Sequence, residues 1–423
     1  MDVLSTLERF ADGAPTGVRL YAERCVHDFD AFATCRACVD ECPVGALQPD
    51  DGIALDAAAC IGCGACVHTC PVGAFEARDE TQDVLRCAAR VRDQGAIALL
   101  CAAHPPIDRG VRPVDAAIVV EGCLAALGPS AYAALAALGI TQIDVYLDAC
   151  ETCPLAPACA SIERTLDKAR AALRPWLAAN QLATITDVSE PASKPWAIYL
   201  AGEPPVERRR LLNPFSGSDA NEILDALSVS AVEQSGPKRL PAERLRLLLA
   251  LDQLPPAGQM LCPAPLGGQT FLRIGADDGC TACGACAKAC PTGAIALEND
   301  DETQTFHLIH LPAACTGCDA CLHLCDPDVL YSRGVPFFSA LQSPEDETLA
   351  SGHFVRCKRC KTRVVEGALN EQGLCEICAF RRANPFGSRI PERVRPLIER
   401  QMATKRPLNP AADADSEATA DTD

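Results

Sequence analysis

Large rings are scarce in this chain. Aromatic residues make up 4% of 423 positions, with two tryptophans and five tyrosines. Aromatic side chains usually dominate the burial in a core, so parts of this protein are expected to be held by something else. No run of about 18 apolar residues occurs, which argues against a membrane-spanning helix. The opening MDVLSTLERFADGAPTG shows no basic start followed by an apolar stretch, so no secretory leader is expected. Basic residues are the minority, 38 against 56 acidic, for a formal net charge of −18. That balance repels phosphate backbones and anionic lipid, which speaks against nucleic acid as the general partner. Neither GxGxxG nor GxxxxGKS is present, so no phosphate-cradling loop for a nucleotide is evident, and no flavin or molybdopterin signature appears.

Cysteine is abundant instead, at 27 residues. Eight lie within 25–70, six within 87–159, one at 262, eight within 280–325 and four within 357–378. Without an export signal a disulfide scaffold is disfavoured, and the thiols read as metal ligands in a cytoplasmic protein. The first and fourth blocks resemble each other, an internal repeat.

Residues 280–291 read CTACGACAKACP, a C-x2-C-x2-C-x3-C-P run, and 315–327 read CTGCDACLHLCDP, with the same cysteine spacing. The pair resembles the bacterial double-cluster ferredoxin over the whole module. That resemblance implies that three cysteines of each run wrap one [4Fe–4S] cubane while the fourth ligates the other cluster. Cys280, Cys283, Cys286 and Cys325 would then hold one cluster, and Cys315, Cys318, Cys321 and Cys290 the second. A pair of zinc knuckles or buried free cysteines is the competing reading.

The first block is similar but irregular. Cys60, Cys63, Cys66 and Cys70, followed by proline, form a complete motif, whereas FATCRACVDECPVGA has Cys35, Cys38 and Cys42 in register and Phe32 at the first ligand position. Cys25, ten residues before Cys35, is the candidate substitute. A three-iron cluster and a cluster with an open iron are the alternatives. On the crossover rule Cys60, Cys63, Cys66 and Cys42 hold one cubane, and Cys35, Cys38, Cys70 and Cys25 the other.

Between the modules, IALL, AIVV, IDVYL and ATITDV alternate with helical patterns over 129–139 and 160–180, which predicts a small parallel α/β unit. Cys101, Cys123, and Cys150 with Cys153, follow three successive strands, and the carboxyl ends of parallel strands converge on one edge. With GCLAALGPSAYAALAALGI and DACETCPLAPAC, this segment resembles the delta-subunit family of methyl-viologen-reducing hydrogenases over residues 96–160, although the glycine and histidine motifs of that family are missing. The resemblance implies an additional cluster, [2Fe–2S] or [4Fe–4S], on Cys101, Cys123, Cys150 and Cys153, with Cys159 as an alternate ligand. It also implies an electron carrier linking a hydrogenase to heterodisulfide reductase. A plain α/β scaffold with small buried cysteines competes with it. Cys87, in a helical pattern, and Cys262 read as core residues, and His68 and His323 as exposed ones that could tune clusters from outside the ligand set.

Residues 357–378 carry two C-x2-C pairs, Cys357 with Cys360 and Cys375 with Cys378, separated by fourteen residues. That spacing fits a four-cysteine zinc ribbon. A rubredoxin-like iron needs the same ligands, but CKRC and CEIC lack its usual Pro and Gly. The adjacent KRCKTR and AFRRANPFGSR are basic and read as a solvated face or a docking surface for an acidic partner, with nucleic acid as an alternative for this segment alone.

The expected architecture is multidomain, α+β and α/β. A ferredoxin module (1–79) and a second one (266–340) flank an α/β cysteine domain (80–188) and a helical connector (189–265), followed by a zinc-ribbon segment (350–390) and a disordered acidic tail (400–423). The expected function is single-electron relay between redox partner proteins, as subunit of a hydrogenase, formate dehydrogenase or heterodisulfide-reductase-like complex. An assembly factor for a redox enzyme, or an enzyme using an open-iron cluster, are the rival classes.

Overall fold

The computed structural model describes residues 17–49, 52–91, 95–189, 195–205, 219–228, 238–263, 265–266 and 268–385, so the expected tail at 400–423 lies outside it. The chain divides into two compact units, residues 1–325 with 329–353, and 354–423 with 326–328. Among the described residues, no helix is long and apolar enough to cross a membrane.

The first unit opens with a small module built on two short antiparallel pairs. Strand β1 (Arg19–Leu20) pairs with β4 (Phe75–Glu76), and β2 (Leu47–Gln48) with β3 (Ala54–Leu55). Two five-residue helices, α1 (Ala37–Glu41) and α2 (Ala65–Thr69), carry the last cysteine-bearing turns of the two motifs. Elements this short cannot stand alone in water. Val18, Val26, Leu47, Val72 and Phe75 pack instead around Cys25 and Cys70, so the thiols lie inside the core.

Helix α3 (Glu80–Val91) leads into a parallel sheet of β5 (Ala96–Cys101), β6 (Ala116–Val120), β7 (Gln142–Tyr146), β8 (Leu182–Ile185) and β9 (Ala197–Leu200). Its order is β8-β7-β5-β6-β9, all neighbours parallel. The chain steps to one side of β5 to form β6 and then returns to its other side for β7. That reversal opens a crevice at the carboxyl ends of the three central strands. The fifth strand comes from the segment read as a helical connector. AIYL is short and follows a Pro- and Ser-rich stretch, so no local periodicity announces it, and its pairing with β6 supplies the missing information.

Helix α4 (Pro129–Ala137) is buried from Pro129 through Leu135, and α5 (Cys159–Leu173) packs beside it. Proline in the first turn and Gly139 at φ +87° just past the end give α4 a defined start and stop. Helix α6 (Asp219–Ala226) follows, and then α7 (Ala242–Gln253), which lays Leu247, Ala250 and Leu251 against the alanine-rich surface of α4. A fully buried leucine is worth about 1.5–3 kcal/mol, so this seam anchors α7 firmly. Glu243 on α7 accepts the N–H of Ser130 at 2.7 Å and its hydroxyl at 2.6 Å, capping α4 from a neighbouring helix. Burial pushes the Glu243 carboxyl up to about 7.

The second ferredoxin-like module contains β10 (Arg273–Ala276), α8 (Ala285–Ala289), the hairpin β11 (Ile295–Asp300) and β12 (Thr305–His310), α9 (Ala320–His323) and β13 (Leu330–Gly334). Strand β10 pairs with β13. Strand β14 (Glu347–Arg356) pairs with β12 through residues 347–353, and the chain passes into the second unit within this strand. In that unit, residues 354–356 pair with β15 (Arg363–Val365), and α10 (Glu376–Ala383) closes the segment.

Candidate metal centres

Three of the four ferredoxin-type loops share one backbone signature. The residues before and after the second cysteine are left-handed: Gly62 at φ +66° and Gly64 at +80°, Ala282 at +49° and Gly284 at +73°, Gly317 at +64° and Asp319 at +58°. These paired reversals curl the chain so that three thiols converge. Ala282 and Asp319 hold a conformation that costs a non-glycine residue about 1–2 kcal/mol. The loop from Phe32 to Cys38 lacks the signature, and Arg36 sits at φ −127°. Without a cysteine at position 32 there is no third sulfur for the loop to gather. Phe32 turns outward, 37% exposed, and meets His323 edge-on at 5.8 Å.

Electrostatic influence among the thiols runs between residues of the paired motifs. Burial first, and then the adjacent thiols of Cys70, Cys35 and Cys25, push the Cys38 thiol up to about 12. Cys63 and Cys66 are likewise raised by burial, with Cys42 and Cys60 among the groups acting on both. In the second module, burial and then Cys283, Cys280 and Cys325 push Cys286 up to about 11. Cys321 is raised by burial, followed by Cys315, Cys318 and Cys290. Cys25 lies in the first-module core beside Cys35 and Cys38.

Backbone amides point at these sulfurs. Ala46 donates to Cys42 Sγ at 3.3 Å, Ala74 to Cys70 Sγ at 3.2 Å and Gly62 to Cys60 Sγ at 3.5 Å. Buried thiols crowded together stay protonated unless a cation draws the protons off, whereas the N–H donors favour anionic sulfur. Neighbouring buried thiols with amide donors are chemistry suited to the cationic core of an iron–sulfur cluster.

A fifth group gathers at the sheet crevice. Cys101 ends β5, Cys123 follows β6, Cys150 and Cys153 follow β7, and Cys159 opens α5. Burial first, then a hydrogen-bonded Cys159, then Cys101 and Cys123, push Cys150 up to about 12. Cys123 is pushed up to about 11 by burial, with Cys101, Cys63 and Cys153 adding to it. Pairwise influences thus link the five thiols, with Cys159 reaching Cys150 directly. His104, unnoticed in the sequence, donates its backbone N–H to the Cys101 carbonyl at 3.0 Å, and its ring lies 3.0 Å from Asp148 Oδ1 and 2.7 Å from the Pro105 carbonyl. Cys87 and Cys262 are buried in the core.

Two histidines read as exposed are not. His68 is buried, with Nε2 3.1 Å from the Ala125 carbonyl, and burial draws it down to about 4. Helix α2 docks there on the turn Leu124–Ala126, so closely that a Cβ on Gly64 would sit 2.9 Å from Ala126 Cβ. His323 is half-buried and lies 2.8 Å from Asp30 Oδ2. Glu41, one residue before Cys42, is held by Ser161 at 2.7 Å, Arg164 at 2.9 Å and Lys168 at 2.8 Å, tying the first module to α5.

In the second unit, the sulfurs of Cys357, Cys360, Cys375 and Cys378 all lie within 4.8 Å of one another, and Cys360 Sγ is 3.7 Å from Cys375 Sγ. Tetrahedral zinc thiolate predicts sulfurs about 3.8 Å apart. Lys361 at φ +61° turns the chain just after the first pair, and Gly373 at +69° just before the second. The backbone N–H groups of Cys360 and Cys375 draw the Cys357 thiol down to about 6, while burial and the neighbouring sulfurs push Cys378 up to about 12. This cluster is able to hold a metal ion.

Three family models match the chain. A 4Fe-4S dicluster domain matches residues 279–329, and 4Fe-4S binding domains match 53–76 and 22–45. The last takes in Cys25 as well as Cys35, Cys38 and Cys42. A search of curated proteins found no match. The chain thus carries three 4Fe-4S ferredoxin-type domains on a mixed α/β scaffold with a five-stranded parallel sheet, which supports an iron–sulfur electron-transfer protein.

Proposed function

We propose that this chain relays single electrons through five iron–sulfur centres in series, between a redox enzyme and an acceptor protein, with zinc as the structural ion of the second unit. The centres are four cubanes on the crossed cysteine sets and a further [2Fe–2S] or [4Fe–4S] cluster at the sheet crevice, held by Cys101, Cys123, Cys150 and Cys153 with Cys159 as alternate. When bound, each cluster takes up and gives back one electron with little structural change.

One observation carries the reading: neighbouring thiol groups form an unbroken succession. Cys123 of the crevice is acted on by Cys63, and Cys66 by Cys38 of the adjoining set. Cys318 packs against the core that holds Cys25, Cys35, Cys38 and Cys70. Cys321 is acted on by Cys286 of the last set. At the far end Cys283 is exposed, and at the crevice Cys101, Cys150 and Cys153 are half-buried. Both ends of the succession therefore reach the surface, while Cys70 and Cys63 in between are buried from water. The likeness of the middle segment to the hydrogenase delta-subunit family suggests a place in a hydrogenase, formate dehydrogenase or heterodisulfide-reductase-like complex.

The test is iron, acid-labile sulfide and zinc per chain on anaerobically purified protein. About 18 irons and about one zinc are expected, for four cubanes and one two-iron centre. About 8 irons with several zincs would remove the relay.

A further inference from the structure

Arg244, third residue of α7, has the largest fully buried side chain among the described residues. Its Nε donates to the Ala313 carbonyl at 2.9 Å and its Nη1 to the Thr270 carbonyl at 2.8 Å, and its Nη2 donates to the Cys315 carbonyl. The Phe271 ring covers the guanidinium at 3.7 Å. Three carbonyls solvate a cation without neutralising it. Glu243, its neighbour in sequence, is engaged with Ser130, and Asp79 pairs with Arg246. A buried charge without an opposite one costs several kcal/mol, so an arginine placed here implies an anion nearby.

We infer that Arg244 is the counter-ion of the cluster held by Cys290, Cys315, Cys318 and Cys321, and a positioning residue that raises that centre's affinity for an electron. The inference rests on the relay reading above. An oxidised cubane with four thiolates carries two negative charges. One electron from a reductant makes it three, and no bond or proton changes hands. A fixed cation against the Cys315 backbone favours the more highly charged form, the more so in a site shut off from water. Such a centre would act as the low point of the succession, fourth of the five from the crevice and next to the set that ends at Cys283.

The experiment is a redox titration of the full chain with dithionite and viologen mediators, read by electron paramagnetic resonance, for wild type, Arg244→Met, Arg244→Gln and Arg244→Lys. The glutamine variant keeps a donor for the carbonyls if the methionine variant does not fold. In either neutral variant, the reduced-to-oxidised ratio of one centre at fixed potential is expected to fall at least tenfold, about 59 mV for one electron, while the others stay in place. Arg244→Lys is expected to keep most of the wild-type ratio. A fully iron-loaded neutral variant with no centre moved overturns the role of Arg244, as does a common shift of all centres. A wild-type chain without cubane iron overturns the relay itself.

Discussion

Asp30 and His323 stand 293 positions apart in the chain, yet Oδ2 of one lies 2.8 Å from Nδ1 of the other. Asp30 also accepts the N–H of Phe32 at 2.9 Å, and its side chain is only 1% exposed. The pair joins the irregular first loop to the helix bearing Cys321. Asp30→Ala is expected to lower stability by about 1–3 kcal/mol, measured by denaturant unfolding of the loaded protein followed through its visible absorbance. An unchanged midpoint would mean that the contact contributes nothing to holding the two modules.

On the proposed ligand sets, Cys25 would supply the sulfur that Phe32 cannot. In Cys25→Ala, iron is expected to fall by about 4 per chain, or by about 1 if a three-iron cluster survives. Cys87→Ala, which empties a core position, is expected to retain full iron. Equal iron in both variants removes Cys25 from the ligand set.

His310 on β12 is fully buried, and neither ring nitrogen has a hydrogen-bond partner among the described residues. Burial draws it down to about 4 from an ordinary 6.5. Between those values the unfolded chain binds a proton that the folded one refuses, so its contribution is complete above pH 6.5 and fades as pH falls toward 4. At pH 5 the loss is about 2 kcal/mol. Thermal unfolding at pH 7 and pH 5 is expected to show a smaller drop in Tm for His310→Phe than for wild type.

Glu243 works in the opposite sense. Its folded value of about 7 lies above the ordinary 4.5, so stability falls as pH rises from 4.5 through 7. The decline amounts to about 3 kcal/mol once ionisation is complete. Glu243→Gln keeps an acceptor for the Ser130 N–H and is expected to flatten the profile over that window. A wild-type-like slope in the variant would place the pH dependence elsewhere.

A strong chelator at neutral pH is expected to remove about one zinc per chain and loosen residues 354–385 to protease, while the visible spectrum stays intact. Cys375→Ala is expected to copy that result without the chelator. Bleaching in step with zinc loss would argue for iron at this site.

The clusters were legible because a cubane loop writes its ligands into adjacent positions: Cys280, Cys283 and Cys286 need only each other and a few permissive residues. The sheet strands with long apolar runs were legible for a similar reason. What stayed hidden depends on pairings over long distances. Whether His68 faces water is decided by where α2 docks, and a five-residue helix between two ligands has no periodicity to disclose that. Arg244 looks like one more surface arginine of an amphipathic helix until Thr270, Ala313 and Cys315 are brought around it. Strand β9 carries four residues whose only reason to be extended is the edge of β6. Cys159 was held in reserve because Cys153 alone seemed to complete the set, and only the start of α5 brings its sulfur to Cys150.

The proposed crossing of cysteines between paired motifs would make each module a lock with two interleaved keys. Cys42 closes α1 but keeps company with Cys60, Cys63 and Cys66, and Cys70 closes α2 but stands beside Cys35 and Cys38. Severing the chain between residues 42 and 60 would leave each fragment with an incomplete set of both kinds. On the proposed sets neither half would hold a complete cluster site alone, so the pair would be the smallest unit of assembly.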